Sequence, residues 1–313
     1  MNETTPKFEY KAFGLLVSSD IPLPELPRQA LGGEAADIEV RIDSDAMGAY
    51  EERLRNAPYM HFVEGQDVMF YVPDNAMFRV SGGNVIRISP DAGSDGDLSR
   101  LYVLGTCMCA ILMQRQIFPL HGSAVVIEGK AYAIVGESGA GKSTLASALM
   151  NEGFPLLSDD LIAVTLKEDR SALIVTPSFP QQKLWEESLN QFGLSAADYP
   201  SIYGRETKFS VPVADRFYVN PVPLAGVFEL VKVGEDEKAS IEPIGKLDRL
   251  QTLYTHTFRQ FLIQRLGLMN WHFSLSAAIA EQTTMHRICR PEYRYTTPEL
   301  IAMISEAAAS GRQ

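Results

Sequence analysis

The first third of the chain alternates short apolar runs with clusters of Pro, Gly, Asp and Asn, a pattern typical of strands joined by turns. Turn-forming clusters such as Ser81-Gly-Gly-Asn84 separate the runs. Five runs rich in aromatic and β-branched residues predict strands over residues 8–17, 37–42, 67–72, 76–80 and 84–88. Residues 1–117 are therefore predicted to form a smaller, β-rich N-terminal domain.

Apolar residues at helical spacing predict a helix over 98–116, just before the predicted domain boundary. Beyond the boundary, strands are predicted over 124–127, 131–135, 154–157, 161–166, 172–176, 225–233 and 285–289. Helices are predicted over 142–151, 247–266, 271–282 and 297–309, and residues 177–223 are interpreted as irregular. This mixture predicts an α/β second domain over residues 118–313.

The charge and the apolar content exclude several classes of protein. With 46% hydrophobic and 21% charged residues, the composition is that of a globular protein with room for two domains. The formal net charge of −11 repels nucleic-acid backbones, and no run of Lys and Arg offsets it, so no nucleic-acid partner is expected. Three cysteines are too few for a disulfide framework.

No segment of the sequence predicts secretion or membrane insertion. The N-terminus, MNETTPKFEYK, lacks the apolar core of a signal peptide. The longest nearly apolar stretch, residues 102–113, is too short to span a bilayer. We therefore expect a cytoplasmic protein with no membrane partner.

A glycine-rich loop carries the strongest chemical signal in the chain. It matches the pattern G-x-x-x-x-G-K-[ST], in which glycines let backbone N–H groups point at phosphate oxygens. An apolar run precedes the loop and a helix follows it, so the phosphates would meet a helix N-terminus. We expect the Lys142 ammonium to contact the β- and γ-phosphates of ATP and the Ser143 hydroxyl to bind Mg²⁺. The expected nucleotide site comprises Gly136, Glu137, Ser138, Gly139, Ala140, Gly141, Lys142, Ser143 and Thr144.

Two adjacent aspartates follow the next predicted strand, at the edge of an α/β sheet where ligands bind. Phosphoryl transfer needs one group that orients and deprotonates the nucleophile and an acid that supports the metal. We assign Asp159 to the first task and Asp160 to the second, although the reverse assignment and a solvated turn or helix N-cap remain alternatives. His121 is a further candidate for facing the phosphates.

Positive charge is also required to neutralise a transferring phosphoryl group. Arg205 and Lys208 lie in the irregular middle region, from which a loop could deliver them, and Arg216 is a further option. Trp185 and Trp271 are predicted to pack in cores rather than to stack on a base.

Three motifs together resemble the C-terminal catalytic domain of HPr serine kinase/phosphorylase. They are His121-Gly-Ser-Ala-Val, the loop Gly136-Glu-Ser-Gly-Ala-Gly-Lys-Ser and Leu157-Ser-Asp159-Asp160, in this order and spacing. The resemblance implies a fold similar to phosphoenolpyruvate carboxykinase, ATP and Mg²⁺ as cofactors, Asp159 as general base and His121 near the phosphates. Two features depart from the family: Thr144 stands where the bifunctional enzyme has Glu, and its downstream Arg-Gly signature is absent.

The opening of the chain is similar to that of HPr-kinase homologues encoded in lasso-peptide biosynthetic clusters. The similar segments are Phe8-Glu-Tyr-Lys-Ala-Phe-Gly14 and Ser19-Asp-Ile-Pro-Leu-Pro-Glu25. This resemblance implies a kinase that phosphorylates the C-terminal serine of a precursor peptide, and the wider family implies a homo-oligomer. A small-molecule kinase with the same catalytic half, and a nucleotide-dependent switch without an acceptor, are the two alternatives.

Overall fold

A computed structural model of the chain describes residues 7–202, 205–292 and 296–310. Its strands are β1 Phe8–Ala12, β2 Leu15–Ser19, β3 Ile38–Ile42, β4 His61–Glu64, β5 Asp67–Val72, β6 Ala76–Ser81, β7 Val85–Pro90, β8 Phe118–Ile127, β9 Lys130–Gly136, β10 Leu156–Ser158, β11 Leu161–Leu166, β12 Leu173–Thr176, β13 Gln181–Trp185, β14 Ser201–Ile202, β15 Arg205–Pro212, β16 Val222–Val233, β17 Ser240–Pro243 and β18 Thr284–Pro291. Its α-helices are α1 Glu51–Asn56, α2 Gly96–Tyr102, α3 Met108–Gln114, α4 Lys142–Asn151, α5 Glu186–Gln191, α6 Lys246–Thr255, α7 Phe261–Arg265, α8 Met269–Gln282 and α9 Thr297–Ser310. The predicted mixed α/β class is confirmed.

The N-terminal strands form one seven-stranded sheet in the order β1-β2-β3-β7-β6-β5-β4. The single strand predicted over residues 8–17 is wrong, because the chain turns back at Phe13 and Gly14. Both residues have positive φ angles, 53° and 75°, and β1 and β2 pair antiparallel on either side of them. The apolar pattern continues through this turn, and for that reason it suggested one long strand.

A continuous helical segment leads from the N-terminal sheet into the second half of the chain. It begins at α2, passes through a π-helical turn over Val103–Cys107 and ends with α3, which agrees with the predicted helix. The Asp95 side chain accepts the main-chain N–H of Asp97 at 2.7 Å and so caps its N-terminus. The segment Gly96–Gln114 is long and apolar enough to cross a membrane, but 67% of its most apolar window is buried in the protein. A core helix of a soluble protein has the same properties.

The second half of the chain is built on an eight-stranded sheet. One path through it runs β10-β8-β11-β12-β16-β18-β17, and β9 lies between β8 and β16. Strands β9, β16 and β18 are parallel, with Ile134 opposite Phe228 and Phe228 opposite His286. Helix α4 follows β9 directly, so the loop between them opens at the end of a central strand.

The middle region contains regular structure where an irregular segment was predicted. Strands β13, β15 and β14 form a three-stranded antiparallel sheet, and α5 follows β13. In β13, Gln182 and Leu184 are buried whereas Lys183 is half-buried and Trp185 is exposed. Because the buried positions include a polar side chain, the strand lacks the apolar run on which the sequence prediction depended.

One hydrophobic core joins the two halves of the chain. It combines residues of the first sheet, such as Phe78, with buried residues of α3 and with Leu262, Ile263 and Leu266 of α7 and its end. The helix predicted over 247–266 is broken between α6 and α7, where Arg259 has a positive φ of 51°. This break turns α7 towards the core. The domain boundary at residue 117 stays a prediction, although the core crosses it.

We expect Leu262→Ala to destabilise both halves of the protein together. Leu262 is 1% exposed within the shared core, and truncation of such a side chain costs about 2–5 kcal/mol. Urea unfolding should show one transition, shifted to lower urea, by both fluorescence and far-UV circular dichroism. Leu247→Ala, at a position that is 83% exposed, is the matched control and should change little. Two separate transitions, only one of them shifted, would contradict a shared core.

A buried histidine predicts how stability depends on pH. The Thr257 hydroxyl donates to the Leu253 carbonyl, so Nε2–H of His272 donates to Thr257 Oγ1 at 2.8 Å, and Nδ1 faces the Ser276 hydroxyl at 3.4 Å. Burial lowers the pKa of His272 from 6.5 to about 4.

Because the unfolded chain takes up this proton near pH 6.5 and the folded chain only near pH 4, the free energy of unfolding should fall as the pH falls through that window. The whole loss from this group is about 3 kcal/mol. Unfolding by urea at a series of pH values should show a flatter profile for His272→Gln than for the wild type. Parallel profiles would refute the assignment.

Candidate active site

The glycine-rich loop lies between β9 and α4, where sheet and helix approach each other closely. A Cβ atom at Gly136, whose φ is 151°, would lie 2.4 Å from the Leu230 carbonyl oxygen of the neighbouring strand. Gly141 adopts a φ of 101° as the residue that precedes the first turn of α4. The main-chain N–H of Ala140 donates to the Glu137 carbonyl at 3.1 Å and closes the turn. The loop therefore presents its backbone at a helix N-terminus, a geometry that favours an anion.

Lys142 folds back across this loop. Its Nζ donates to the carbonyl oxygens of Gly136 at 2.8 Å and Glu137 at 3.0 Å, and only 9% of the residue is exposed. Burial lowers the pKa of Lys142, and the charges of Asp159 and Asp160 oppose that shift. The ammonium group is thus held over the loop by two neutral carbonyl oxygens. Charged phosphate oxygens accept hydrogen bonds from an ammonium group more strongly and could replace them.

The carboxylate of Asp159 is the meeting point of three elements. It accepts the hydroxyl of Ser123 in β8 at 2.5 Å, the hydroxyl of Ser143 in α4 at 3.0 Å and the main-chain N–H of Lys183 in β13 at 2.8 Å. Asp159 is 5% exposed. Burial raises its pKa, and the hydrogen bonds from Lys183 and Ser123 counteract part of the rise. The serine of the glycine-rich loop is therefore bonded directly to a buried carboxylate.

Asp160 has a different environment from its neighbour. Its φ of 69° turns the chain, and its carboxylate pairs with the Lys183 ammonium at 2.6 Å. Burial alone would raise the pKa of Asp160, but the charge of the Lys183 ammonium outweighs burial and holds this pKa well below its usual range. Asp160 is consequently anionic at neutral pH, whereas Asp159 is the carboxylate of higher proton affinity.

His121 stands beside this pair. Its Nδ1 lies 3.0 Å from the Asp160 carbonyl oxygen and donates to it, and its ring packs edge-on against Phe258 with 5.1 Å between centroids. Burial lowers the pKa of His121, nearby Lys142 adds to the effect, and Asp160 opposes it. The imidazole is thus neutral at physiological pH, with Nε2 as its acceptor.

Most of these groups line one cleft with a volume of about 940 Å³, whereas Asp159 is buried and is not among the residues that line it. Among the predicted loop residues, Gly136, Glu137 and Ala140 do not line the cleft. Gly136 lies under the loop and Ala140 packs into the core. The predicted site residues that line the cleft are His121, Ser138, Gly139, Gly141, Lys142, Ser143, Thr144, Asp160 and Lys208.

The three-stranded sheet forms a second wall of the cleft. Lys208 of β15 lies opposite Trp185 of β13, with its ammonium 5.5 Å from the Trp185 ring centroid. The prediction that Trp185 packs in a core is wrong, because 36% of this residue is exposed and it borders the cleft. Trp271, in contrast, packs against Phe118 as predicted, with 6.1 Å between centroids.

The remaining cationic candidates differ in their placement. Arg205 begins β15, and its side chain lies outside the part of the chain that the structure describes. Arg216 donates to the Asn151 side chain at an exposed position and does not border the cleft. Arg290, in β18, does border it and donates from Nε to the Ala140 carbonyl at 2.7 Å. Arg290 therefore supports the glycine-rich loop from outside.

Sequence reasoning did not identify Lys183 or Gln182. The Gln182 amide donates to the Ser143 carbonyl at 2.9 Å and accepts the Ser147 hydroxyl at 2.6 Å, so it holds the start of α4. Residues 181–185, Gln-Gln-Lys-Leu-Trp, show neither an apolar run nor an alternation of polar and apolar residues, so the sequence carries no signal for this strand.

The site fits a magnesium ion that is held mainly by phosphates. In the described ranges no group of three or more His, Cys, Asp or Glu side chains could hold a metal. Mg²⁺ commonly takes one or two protein oxygens and completes its shell with water and phosphate oxygens. Ser143 supplies a hydroxyl 3.0 Å from an Asp159 oxygen, and Asp160 adds a second carboxylate next to it in the chain. These oxygens match that preference.

Comparison with known proteins points to one group of enzymes. The chain is 39% identical over 85 residues to the HPr kinase/phosphorylase of Clostridium tetani, which covers 27% of this chain and 26% of that protein. It is 35% identical over 91 residues to the HPr kinase/phosphorylase of Clostridium acetobutylicum, covering 29% and 28%. No protein-family model matches the chain.

Among solved structures, the HPr(Ser) kinase/phosphatase from Coxiella burnetii aligns with 61% of this chain and 95% of its own length. The TM-score is 0.31 and the sequence identity is 16%. The chain spans about a quarter of the length of the curated relatives it matches. Over that part, it is similar in sequence to HPr kinase/phosphorylases.

Proposed function

We propose that this protein is an ATP- and Mg²⁺-dependent serine kinase that acts on a peptide. The observation that carries the proposal is the hydrogen bond between Asp159 and Ser143, which joins a buried carboxylate to a glycine-rich, phosphate-binding type of loop. The sequence similarity to HPr kinase/phosphorylases supports the same reaction class.

In the proposed mechanism, the loop amides and the Lys142 ammonium bind the terminal phosphates of ATP. Ser143 and Asp160 would hold Mg²⁺, which would supply positive charge to neutralise the phosphates. Asp159 orients the serine hydroxyl and accepts its proton. The raised pKa of Asp159 suits this task, because a general base works best when its pKa approaches the working pH.

The other polar residues of the cleft have supporting roles in this proposal. His121 lies next to the phosphate position, and its Nε2 faces away from the Asp160 carbonyl. Lys208 supplies positive charge on the acceptor side, where it borders the cleft beside Trp185. Arg205 is proposed for the same purpose on the basis of its position at the start of β15.

We further propose the C-terminal serine of a ribosomal precursor peptide of the lasso type as the acceptor, in the cytoplasm. Support comes from the resemblance of residues 8–25 to kinases of lasso-peptide clusters and from the volume of the cleft, which exceeds that of a triphosphate alone. A homo-oligomer is proposed from the family resemblance.

Asp159→Asn should abolish most phosphoryl transfer. Loss of a general base costs about 10²- to 10⁴-fold in rate. The assay is mass spectrometry of serine-containing precursor peptides after incubation with ATP and Mg²⁺, with one added phosphoryl group per serine as the signal. Asp169→Asn, at an exposed turn, is the matched control and should retain full activity.

The same assay separates the alternatives. Phosphorylation of free serine in place of the peptide would indicate a small-molecule kinase, and ATP hydrolysis with no phosphorylated acceptor would indicate a switch. Full activity of Asp159→Asn would end the assignment of the base.

Lys142→Ala should weaken ATP binding by removing the ammonium group above the loop. A charge-assisted contact to phosphate contributes about 1.5–3 kcal/mol, which corresponds to roughly 10- to 100-fold in Kd. Titration calorimetry with a non-hydrolysable ATP analogue and Mg²⁺ measures the change directly. Lys167→Ala serves as the control, because Lys167 lies in the β11–β12 turn outside the cleft. Unchanged affinity in Lys142→Ala would place the nucleotide elsewhere.

A further inference from the structure

Lys183 contacts the side chains of both aspartates. Its main-chain N–H donates to Asp159 Oδ2 at 2.8 Å, and its Nζ donates to Asp160 Oδ2 at 2.6 Å. One residue therefore bonds two neighbouring carboxylates, Asp159 through its backbone and Asp160 through the end of its side chain. The first contact is independent of the side chain, whereas the second depends on its length and charge.

The strand that carries Lys183 is anchored independently of the aspartates. The adjacent residue, Gln182, is 1% exposed and bonds to both the Ser143 carbonyl and the Ser147 hydroxyl of α4. Since successive side chains of a strand point to opposite faces, the Gln182 side chain bonds to α4 and the Lys183 side chain bonds to Asp160. The three-stranded sheet is thus bonded to the start of α4 through Gln182 and to the two carboxylates through the next residue, Lys183.

The ion pair between Lys183 and Asp160 is largely shielded from solvent, so each charge depends on the other. The side chains of Lys183 and Asp160 are 21% and 22% exposed. When one partner of a sheltered pair is removed, the other charge is left uncompensated, which favours rearrangement of the residue that bears it. The nearest remaining partner of Asp160 is His121, whose Nδ1 lies 3.6 Å from Asp160 Oδ1. Since this imidazole is neutral and its Nδ1–H already donates to the Asp160 carbonyl, loss of Lys183 would leave the Asp160 carboxylate free to shift beside the adjoining Asp159.

We propose that Lys183 is a positioning residue that clamps the aspartate pair, and that the three-stranded sheet exists in part to deliver it. The proposal rests on the proposed kinase function for its effect on rate, but the clamp itself is a property of the protein without substrate. Residues that orient acidic groups in this way commonly contribute about 10- to 100-fold to activity.

The kinetic test compares Lys183→Met with Lys183→Arg in the full-length protein, with precursor peptide as acceptor. We expect Lys183→Met to lower kcat by about 10- to 100-fold. The KM for ATP should change by less than about threefold, because the loop contacts remain. Lys183→Arg should recover most of the loss, since it restores a cation at a similar reach. Lys130→Met, at the exposed far end of β9, is the control for the same substitution.

Three kinetic results would overturn the proposal. One is an unchanged kcat in Lys183→Met. Another is a loss that appears only in KM for ATP, which would make Lys183 a nucleotide contact. Equal damage in the Met and Arg variants, with normal unfolding curves, would also refute a role based on charge.

A second measurement keeps the clamp testable if the wild type transfers no phosphate to any acceptor. Urea unfolding of Lys183→Met, Asp160→Asn and the double variant forms a double-mutant cycle. We expect the shifts in midpoint to be non-additive, with Lys183→Met costing less in the Asp160→Asn background. Additive shifts would overturn the clamp. Non-additive shifts together with an inactive wild type would retain the clamp and refute the kinase instead.

Discussion

The arrangement of the site depends on one buried carboxylate, that of Asp159. Taking a carboxylate out of water costs several kcal/mol unless hydrogen bonds replace its solvation. Here Ser123, Ser143 and the Lys183 backbone supply three donors from three different elements. Each element is therefore held at hydrogen-bond distance from the same group. A shift of β8, α4 or β13 would leave a buried acceptor without its partner, so the carboxylate couples their positions.

The close approach that this coupling needs is created by glycine. A Cβ atom at Gly122 would lie 2.2 Å from the Ile134 carbonyl oxygen, and one at Gly136 would lie 2.4 Å from the Leu230 carbonyl oxygen. These two positions let β8, β9 and β16 pack with their backbones nearly in contact. As a result, the end of β9 and the tip of β10 reach the same edge of the sheet. The glycine-rich loop and Asp160 then face one cleft, while Asp159 is buried.

The parts of this site that sequence could predict are contiguous along the chain. Local sequence pattern is enough to predict the loop from Gly136 to Thr144 and the pair Asp159–Asp160, because a strand, a turn and a helix follow each other directly. The contacts of Lys183 could not be predicted, since they join residues more than twenty positions apart through a sheet with no clear apolar run. Trp185 was misassigned for a related reason: an aromatic residue favours burial on average, and the sequence does not reveal that its strand borders a cleft.

The N-terminal half supports the site through packing rather than through side chains in the cleft. Phe258, whose ring lies against His121, has its carbonyl bonded by the Cys109 thiol of α3 at 3.2 Å and its N–H bonded to the Pro119 carbonyl at 2.8 Å. The next residue, Arg259, donates to Thr106 in the π-helical turn. The helical segment that follows the first sheet therefore bonds to the turn at Phe258 and Arg259, and the Phe258 ring in turn packs against the His121 ring. Because that turn also directs α7 into the shared core, the position of His121 is tied to the folding of residues far from the cleft.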